Sequence, residues 1–419
     1  RINLRDNVFP AVLGRVCARP CESECRHGWD GLGEPVAICF SKRSAADFKQ
    51  QGLVVLDKWF GDSGKQVAVI GSGVAGLTAA RQLALLGHQV KVYEKHSRPG
   101  GMMNQGIPEF RLPRALIDKE IKQIAALGVE IICNTEIGRG VTLNALTTEH
   151  DAVVMAAGTL RPNLLNLPGK ELDGIRHGLD FLLEVNETGT AQIGQKTVVI
   201  GGGFTAMDCA RTAVRLGAET KVCYRRGVVE MLVTPGELEE LEHEGIPLDT
   251  MVAPKAYVGD YGKVAAIRFV RTELGNPDES GRRRPVEIAG SEFELPVDSV
   301  LLATGQFPDT AWLDDALRAE LVEDDGWLKG GEAFTTARAK IFAAGDFATG
   351  ASSLIQAIGH AKDCVRAVDR FLMGKERLKD RVRIEDVTTS GRIREMDAVP
   401  LQPMPTIELA RRDLPTEVE

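Results

Sequence analysis

The stretch VCARPCESEC, Val16 to Cys25, places a thiol at every fourth position: Cys17, Cys21 and Cys25. Thiolates this close suggest an iron–sulfur or zinc ligand set, and a closed site of either kind takes four ligands. The fourth is not evident. Pro20 argues against one continuous helix through the three thiols, so same-face helical arguments do not apply. Cys39 could in principle complete the set, but VAICF reads as a short apolar strand in which a cysteine is filling. Cys133, Cys209, Cys223 and Cys364 stand singly in apolar stretches and read the same way. No CxxC pair exists to supply dithiol chemistry, and neither a histidine cluster nor a GxSxG elbow points to zinc or nucleophilic catalysis.

Two glycine-rich turns carry the other candidate chemistry. Gly71, Gly73 and Gly76 follow the apolar run VAVI, with Glu94 23 residues beyond Gly71. In such a turn the first glycine bends sharply, the second lets backbone approach a pyrophosphate, and the third allows a helix to pack against a strand. A carboxylate at Glu94 is placed to accept from a ribose hydroxyl pair. The second turn has Gly201, Gly203 and Ala206, and the position matching Glu94 is Tyr224, followed by Arg225 and Arg226. An acid replaced by cations suits a ribose carrying a 2′-phosphate, with Tyr224 stacked on adenine. The plainer reading is that the arginines are solvated charge, or that they pair with Glu230.

The elements that must position these turns are legible. From Lys65 the chain reads KQVAVIGSGVAGLTAARQLALLGHQVKVYEKH, and from Gln195 QKTVVIGGGFTAMDCARTAVRLGAETKVCYRRG, aligned without a gap at an offset of 130 residues. Each has a strand, a glycine turn, an amphipathic helix closing at Leu-Gly, and a second strand: a βαβ unit, found twice. Gly100 and Gly101 follow Glu94 shortly. Gly345 and Asp346 end a later apolar strand before a helix beginning near Ser352, where an Asp suits a ribityl hydroxyl and a helix N-terminus suits the electron-rich edge of a flavin. An ordinary capped turn is the bland alternative there. Lys95, Arg111, Ala157, Gly158, Phe204, Thr205, Thr304, Gly305 and Ser353 adjoin these turns and complete the candidate cofactor contacts. His360 reads as a capping or packing residue.

Composition narrows the class. A chain of 419 residues implies two or three domains, and 43% hydrophobic with 26% charged residues reads as globular. A net charge of −8 argues against nucleic acid as the main partner. No apolar run approaches a membrane span and no signal-peptide pattern opens the chain, so eight cysteines suggest reduced thiols in a cytoplasmic protein. The chain starts with Arg1 rather than Met, which suggests trimming. ELEELEHEGI reads as a solvated helix, NPDESGRRRP as a turn with solvated arginines, and the proline-rich stretch beyond about 375 as an extended arm on this subunit or another.

The segments GRVCARPCESEC, GSGVAGLTAA, GGMMNQGIPEFRLP, GGGFTAMDCART, YRRG, ATGQ and AAGDFATGASSLIQAIG resemble the small (beta) subunit of glutamate synthase and its relatives, from about residue 8 to 372. The resemblance implies an α/β fold of two Rossmann-like domains, the NAD(P)H domain inserted in the FAD domain, behind a small helical N-terminal domain. The implied division is 1–62 for an iron–sulfur-type or docking domain, 63–165 with 296–375 for FAD, 166–295 for NAD(P)H, and 376–419 for the arm. Relatives hold two [4Fe–4S] clusters with two cysteine groups, and only the group resembling Cys17, Cys21 and Cys25 is present here. Either the upstream half was cut away, or a cysteine-rich partner completes a shared [4Fe–4S] cluster, or the domain keeps its shape without metal. The partner reading is favoured. The function implied is an FAD-dependent subunit passing electrons between NADP(H) or NAD(H) and the iron–sulfur centres of a larger oxidoreductase, beside an iron–sulfur subunit and a catalytic subunit. A complex like glutamate synthase or a tungsten aldehyde oxidoreductase is the setting this suggests. Relatives continue from the arginine pair into Met-Pro-Ala, whereas this chain reads GVVEMLVTP, a departure that bears on NADP(H) against NAD(H). A stand-alone NAD(P)H:acceptor reductase and a non-catalytic FAD-binding assembly subunit are the alternatives.

Overall fold

Val67–Ile70 and Val198–Ile200 are buried at every position, as strands covered on both faces must be. Each is the middle strand of a five-stranded parallel sheet in a computed structural model, which describes residues 2–28, 33–49, 52–278, 280–329, 334–378 and 404–418. The first sheet has the order Ile341–Ala343, Ala152–Met155, Gln66–Ile70, Gln89–Tyr93, Glu130–Ile132. The second has the order Ile175–His177, Ser299–Leu302, Lys196–Ile200, Glu219–Tyr224, Leu248–Thr250. Ile70 pairs with Tyr93 and Ile200 with Cys223, so the repeat in sequence is a repeat in register. Glu94 and Tyr224 therefore stand at equivalent strand ends, as the alignment requires.

The chain passes from the first sheet to the second through Thr159–Pro162 and returns through Gln306–Pro308, and these two segments pair antiparallel. Asn163 locks the crossing: its Nδ2 donates to Thr304 O at 3.0 Å, and Thr304 Oγ1 donates to Asn163 O at 2.7 Å. A four-stranded antiparallel sheet of Val252–Asp260, Lys263–Pro277, Arg283–Glu287 and Phe293–Pro296, which the motif reading does not anticipate, completes the second half.

At the front lie short helices, Ile2–Asp6, Pro10–Val16, Pro20–Ser23 and Ile38–Asp47. Pro20 starts its own helix after Arg19 at φ 56°, so the thiols are indeed not on one helix. VAICF is not a strand. Cys39 sits in the first turn of Ile38–Asp47, its N–H donating to Glu22 at 2.7 Å. The N-terminus of Pro10–Val16 docks on Glu120 of helix Arg114–Ala125, which accepts from Ala11 N at 2.8 Å and Val12 N at 3.3 Å. Burial pushes the Glu120 carboxyl up to about 7 against the pull of those two donors.

Helix Pro235–His243 corrects the reading of ELEELEHEGI as solvated. Glu237 binds Arg111, and Glu240 and Glu244 both bind Arg211 and Arg412, with Arg215 added to Glu244. Phe110, fully buried, lies beneath the guanidiniums of Arg215 and Arg211 at 3.9 and 5.2 Å. Residues 404–418 run across this seam on the same chain. Arg412 reaches Glu240, Val418 N donates to Phe110 O, and Glu417 takes Arg15 at 2.6 Å and Arg43 at 2.9 Å. Of the expected arm, 379–403 lies outside the described residues.

Burial works against the Glu244 carboxylate, but hydrogen bonds from Arg215 and Arg211 outweigh it and hold the carboxyl down to about 2. A folded value below the ordinary 4.5 means the stabilisation is complete above that pH and is lost as pH falls towards 2. Glu244→Ala should lower the free energy of unfolding in urea at pH 7 by about 3–5 kcal/mol, since three guanidiniums lose a buried partner. The difference from the unmodified protein should shrink at pH 3.

Candidate functional site

A single cleft of about 1370 Å³ runs past both glycine turns. One ligand fills about 300–1,000 Å³, so the cleft has room for more than one nucleotide. Its wall includes Gly71, Gly73, Glu94, Lys95 and Gly101 at the first turn, and Gly201, Gly203, Phe204 and Thr205 at the second. Ala157, Gly158, Thr304 and Gly305 line it between the sheets, and Asp346 and Ser353 at the end of the last strand.

The first turn is built around missing side chains. A Cβ on Gly76 would lie 2.0 Å from Gly71 O, which is the close helix–strand contact the third glycine permits. A Cβ on Gly101, at φ +53°, would lie 2.6 Å from Gly73 Cα. A Cβ on Gly73 itself would meet nothing nearer than 4.0 Å, so the cradle above it is open. Glu94 is buried and accepts from Ser72 N and His96 N, each at 2.9 Å, one on each oxygen. Ser72 was not foreseen; it lies between the glycines of GSG, and its hydroxyl also donates to Glu94 while accepting from Gly100 N. An open glycine cradle, a strand-end carboxylate and helix Val74–Leu85 rising from the turn fit the diphosphate and ribose of FAD.

Asp346 accepts from Ser352 Oγ at 2.6 Å and Ser352 N at 3.2 Å, and burial raises its carboxyl while those bonds lower it. Helix Leu354–Met373 begins with a capping box, Ser353 paired with Gln356, one residue past the expected start. His360 packs against Phe334 and its Nδ1 accepts from Gly345 N at 3.0 Å, as a packing residue would.

At the second turn a Cβ on Gly203 would meet nothing within 4 Å. Tyr224 lines the cleft, its ring packs on Gly202 and its hydroxyl donates to Glu230 O at 3.0 Å. Arg225 is exposed to the cleft. Arg226 is buried and pairs at 2.6 Å with Asp278, not with Glu230. Arg111 lines the cleft too, but its guanidinium binds Asp208 at 2.6 Å and also Glu237. Burial pushes the Asp208 carboxyl up to about 6 although Arg111 pulls it down. Gly76, Gly100, Ala206 and Gly345 shape the turns from behind the cleft wall.

The thiols are not gathered. Cys17 is buried, Cys21 exposed and Cys25 half-buried, and among the described residues no three His, Cys, Asp or Glu side chains are grouped to hold a metal ion. Cys17 turns to Cys39, whose hydrogen bond pulls the Cys17 thiol down; the same contact, with burial, pushes Cys39 up. These residues do not fit a [4Fe–4S] cluster held by this chain alone. Yet Val16 and Ala18, on either side of Cys17, belong to the cleft wall. Sequence reasoning had no signal for that contact. Among the described residues no helix is long and apolar enough to cross a membrane.

Two parallel sheets with equivalent glycine turns opening on one cleft define a nicotinamide-dependent flavin oxidoreductase. Residues 65–365 match the pyridine nucleotide-disulphide oxidoreductase family, and the chain belongs to it. The glutamate synthase [NADPH] small chain of Halomonas elongata is 37% identical over 389 residues, covering 88% of this chain and 81% of that one. The NADP(+)-dependent formate dehydrogenase subunit beta of Moorella thermoacetica is 38% identical over 391 residues, or 86% of this chain and 54% of that one. The NADPH-Fe(3+) oxidoreductase subunit beta of Geobacter sulfurreducens is 35% identical over 420 residues, with coverage of 92% and 62%. This chain thus spans little more than half the length of the last two. Mycobacterium tuberculosis FprA in complex with NADPH has the same fold, with a TM-score of 0.65 at 21% identity over 74% of this chain and 85% of that one.

Because Gly73 and Gly203 both face open space, each can be filled without disturbing the fold. Gly73→Ala should weaken FAD binding ten-fold or more, about 1.4 kcal/mol, while leaving the melting temperature of the FAD-free protein unchanged. Gly203→Ala should retain FAD and instead raise the KM for NADPH. Titration with FAD and steady-state kinetics separate the two.

Proposed function

We propose that this chain is the nicotinamide-coupling subunit of a larger oxidoreductase, binding FAD at the first glycine turn and NADP(H) at the second. Electrons leave it for the iron–sulfur centres of a cytoplasmic partner subunit, which serves a separate catalytic subunit. The observation that carries this reading is that the cysteine loop, through Val16 and Ala18, walls the same cleft as both nucleotide turns. Cys21 and Cys25, more exposed than Cys17, then face the partner and contribute to a shared [4Fe–4S] site. The relatives named as small chains and beta subunits support a subunit role.

Bound FAD would supply hydride exchange with nicotinamide and the splitting of an electron pair. The protein's share is placement. Gly71, Gly73 and Gly101 admit the diphosphate, Glu94 faces the ribose, and Asp346 with the N-terminus of Leu354–Met373 faces the flavin end. Arg225 offers fork-shaped donors to a 2′-phosphate, a contact of about 1.5–3 kcal/mol. No side chain is assigned as a general acid or base.

Reconstituted alone, the chain should turn yellow with FAD, reduce a dye at the expense of NADPH, and carry little iron; iron–sulfur spectra should appear only with the partner. A chain that stays colourless after reconstitution would sink the FAD assignment, and dye reduction with no transfer to any iron–sulfur partner would favour a stand-alone reductase. Arg225→Ala should lower kcat/KM for NADPH ten-fold or more with little change for NADH, following the contact energy above.

A further inference from the structure

The hairpin between Lys263–Pro277 and Arg283–Glu287 carries three consecutive arginines, and the fold sends them to three places. Arg283 reaches back to the carbonyls of Leu274 and Gly275, tying the two strands together. Arg284 is exposed and is not part of the cleft wall. Arg282 lines the cleft, in company with Arg225 and Arg226. The run is therefore not uniform solvated charge.

Asp278 holds this arrangement. One carboxylate oxygen accepts from Arg226 at 2.6 Å, and the other accepts from Ser280 N at 2.9 Å and Arg282 N at 3.3 Å. The hairpin is thereby tied to the strand end where Tyr224 stands. Arg282 Nε donates to Ser280 Oγ at 3.0 Å, which leaves its terminal nitrogens without a partner among the described residues. Arg225 is likewise without one among them. Glu287, another acid of this wall, is paired with Lys255 at 2.8 Å. Among the described residues Asp278 is the carboxylate that pairs with this cluster, through Arg226, so Arg225 and Arg282 are left to meet a phosphate monoester of charge about −1.5 to −2.

We propose that Arg282 is a specificity-determining residue for NADP(H), closing on the 2′-phosphate opposite Arg225, with Asp278 as the positioning residue that holds the hairpin in place. The inference rests on the reading that the second turn takes NADP(H). It adds a residue well beyond Arg225 in sequence, in the turn of a hairpin of the antiparallel sheet, which the βαβ pattern alone does not reach.

The test uses the full FAD-loaded chain with ferricyanide as acceptor, measuring kcat/KM for NADPH and NADH and inhibition by adenosine 2′,5′-bisphosphate. Arg282→Ala should raise both the KM for NADPH and the inhibition constant of the bisphosphate about ten-fold or more, with NADH kinetics changed less than about two-fold. Arg284→Ala, in the same hairpin but outside the cleft, should behave as the unmodified protein. If Arg282→Ala leaves the NADPH-to-NADH ratio intact while Arg225→Ala collapses it, the Arg282 assignment fails and the NADP(H) reading stands. Equal losses with both nucleotides would also overturn it, as a structural effect. An unmodified protein with no NADPH preference and no inhibition by the bisphosphate overturns both.

Discussion

Phe110 and Arg111 set the distance between the two nucleotide turns. Both belong to the segment that follows the first unit, yet both end in the second. The Phe110 ring carries the guanidiniums of Arg211 and Arg215, and Arg111 binds Asp208 and Glu237. Buried ion pairs of this kind recover little more than their desolvation cost, but breaking one leaves its partner charged and buried, so the two halves are held to each other here. Asp208 lies on helix Phe204–Arg215, the helix that rises from the second glycine turn. The seam is thus fixed at the element that would receive the nicotinamide nucleotide.

The sequence made the two parallel sheets legible because a buried strand ending in a glycine turn is a local pattern, and a local pattern survives in any context. The exact repeat of register, Ile70 with Tyr93 and Ile200 with Cys223, follows from the same cause. What could not be read was non-local. ELEELEHEGI has the composition of a solvated helix, and only the arrival of Arg111, Arg211, Arg215 and Arg412 from elsewhere turns its acids inward. VAICF has the composition of a strand, but the Glu22 carboxylate at the start of the segment favours a helix there. The packing of the Tyr224 ring on Gly202 is likewise a contact that the strand-end pattern alone does not reveal.

The family is named for disulphide chemistry, but this chain has no CxxC pair, and its eight cysteines are all free. The loop around Cys17 stands on the cleft wall beside both nucleotide turns. Acidity also matters at this scale. The chain carries a net charge of −8, yet the mouth of the second turn is locally cationic. Fields that differ this much across one surface let an anionic nucleotide be drawn to one end of a protein that otherwise repels it.

Residues 404–418 are synthesised after every element they touch: the front helices through Arg15 and Arg43, the segment at Phe110, and the second unit through Arg412 and Glu240. Domains of this size fold as units during synthesis. Both glycine turns and the Phe110–Arg111 seam between them can therefore form before the C-terminal segment clasps them to the front helices. A ribosome that stalls before residue 404 would release a protein that lacks the Glu417 clasp on Arg15 and Arg43 and the Arg412 clasp on Glu240.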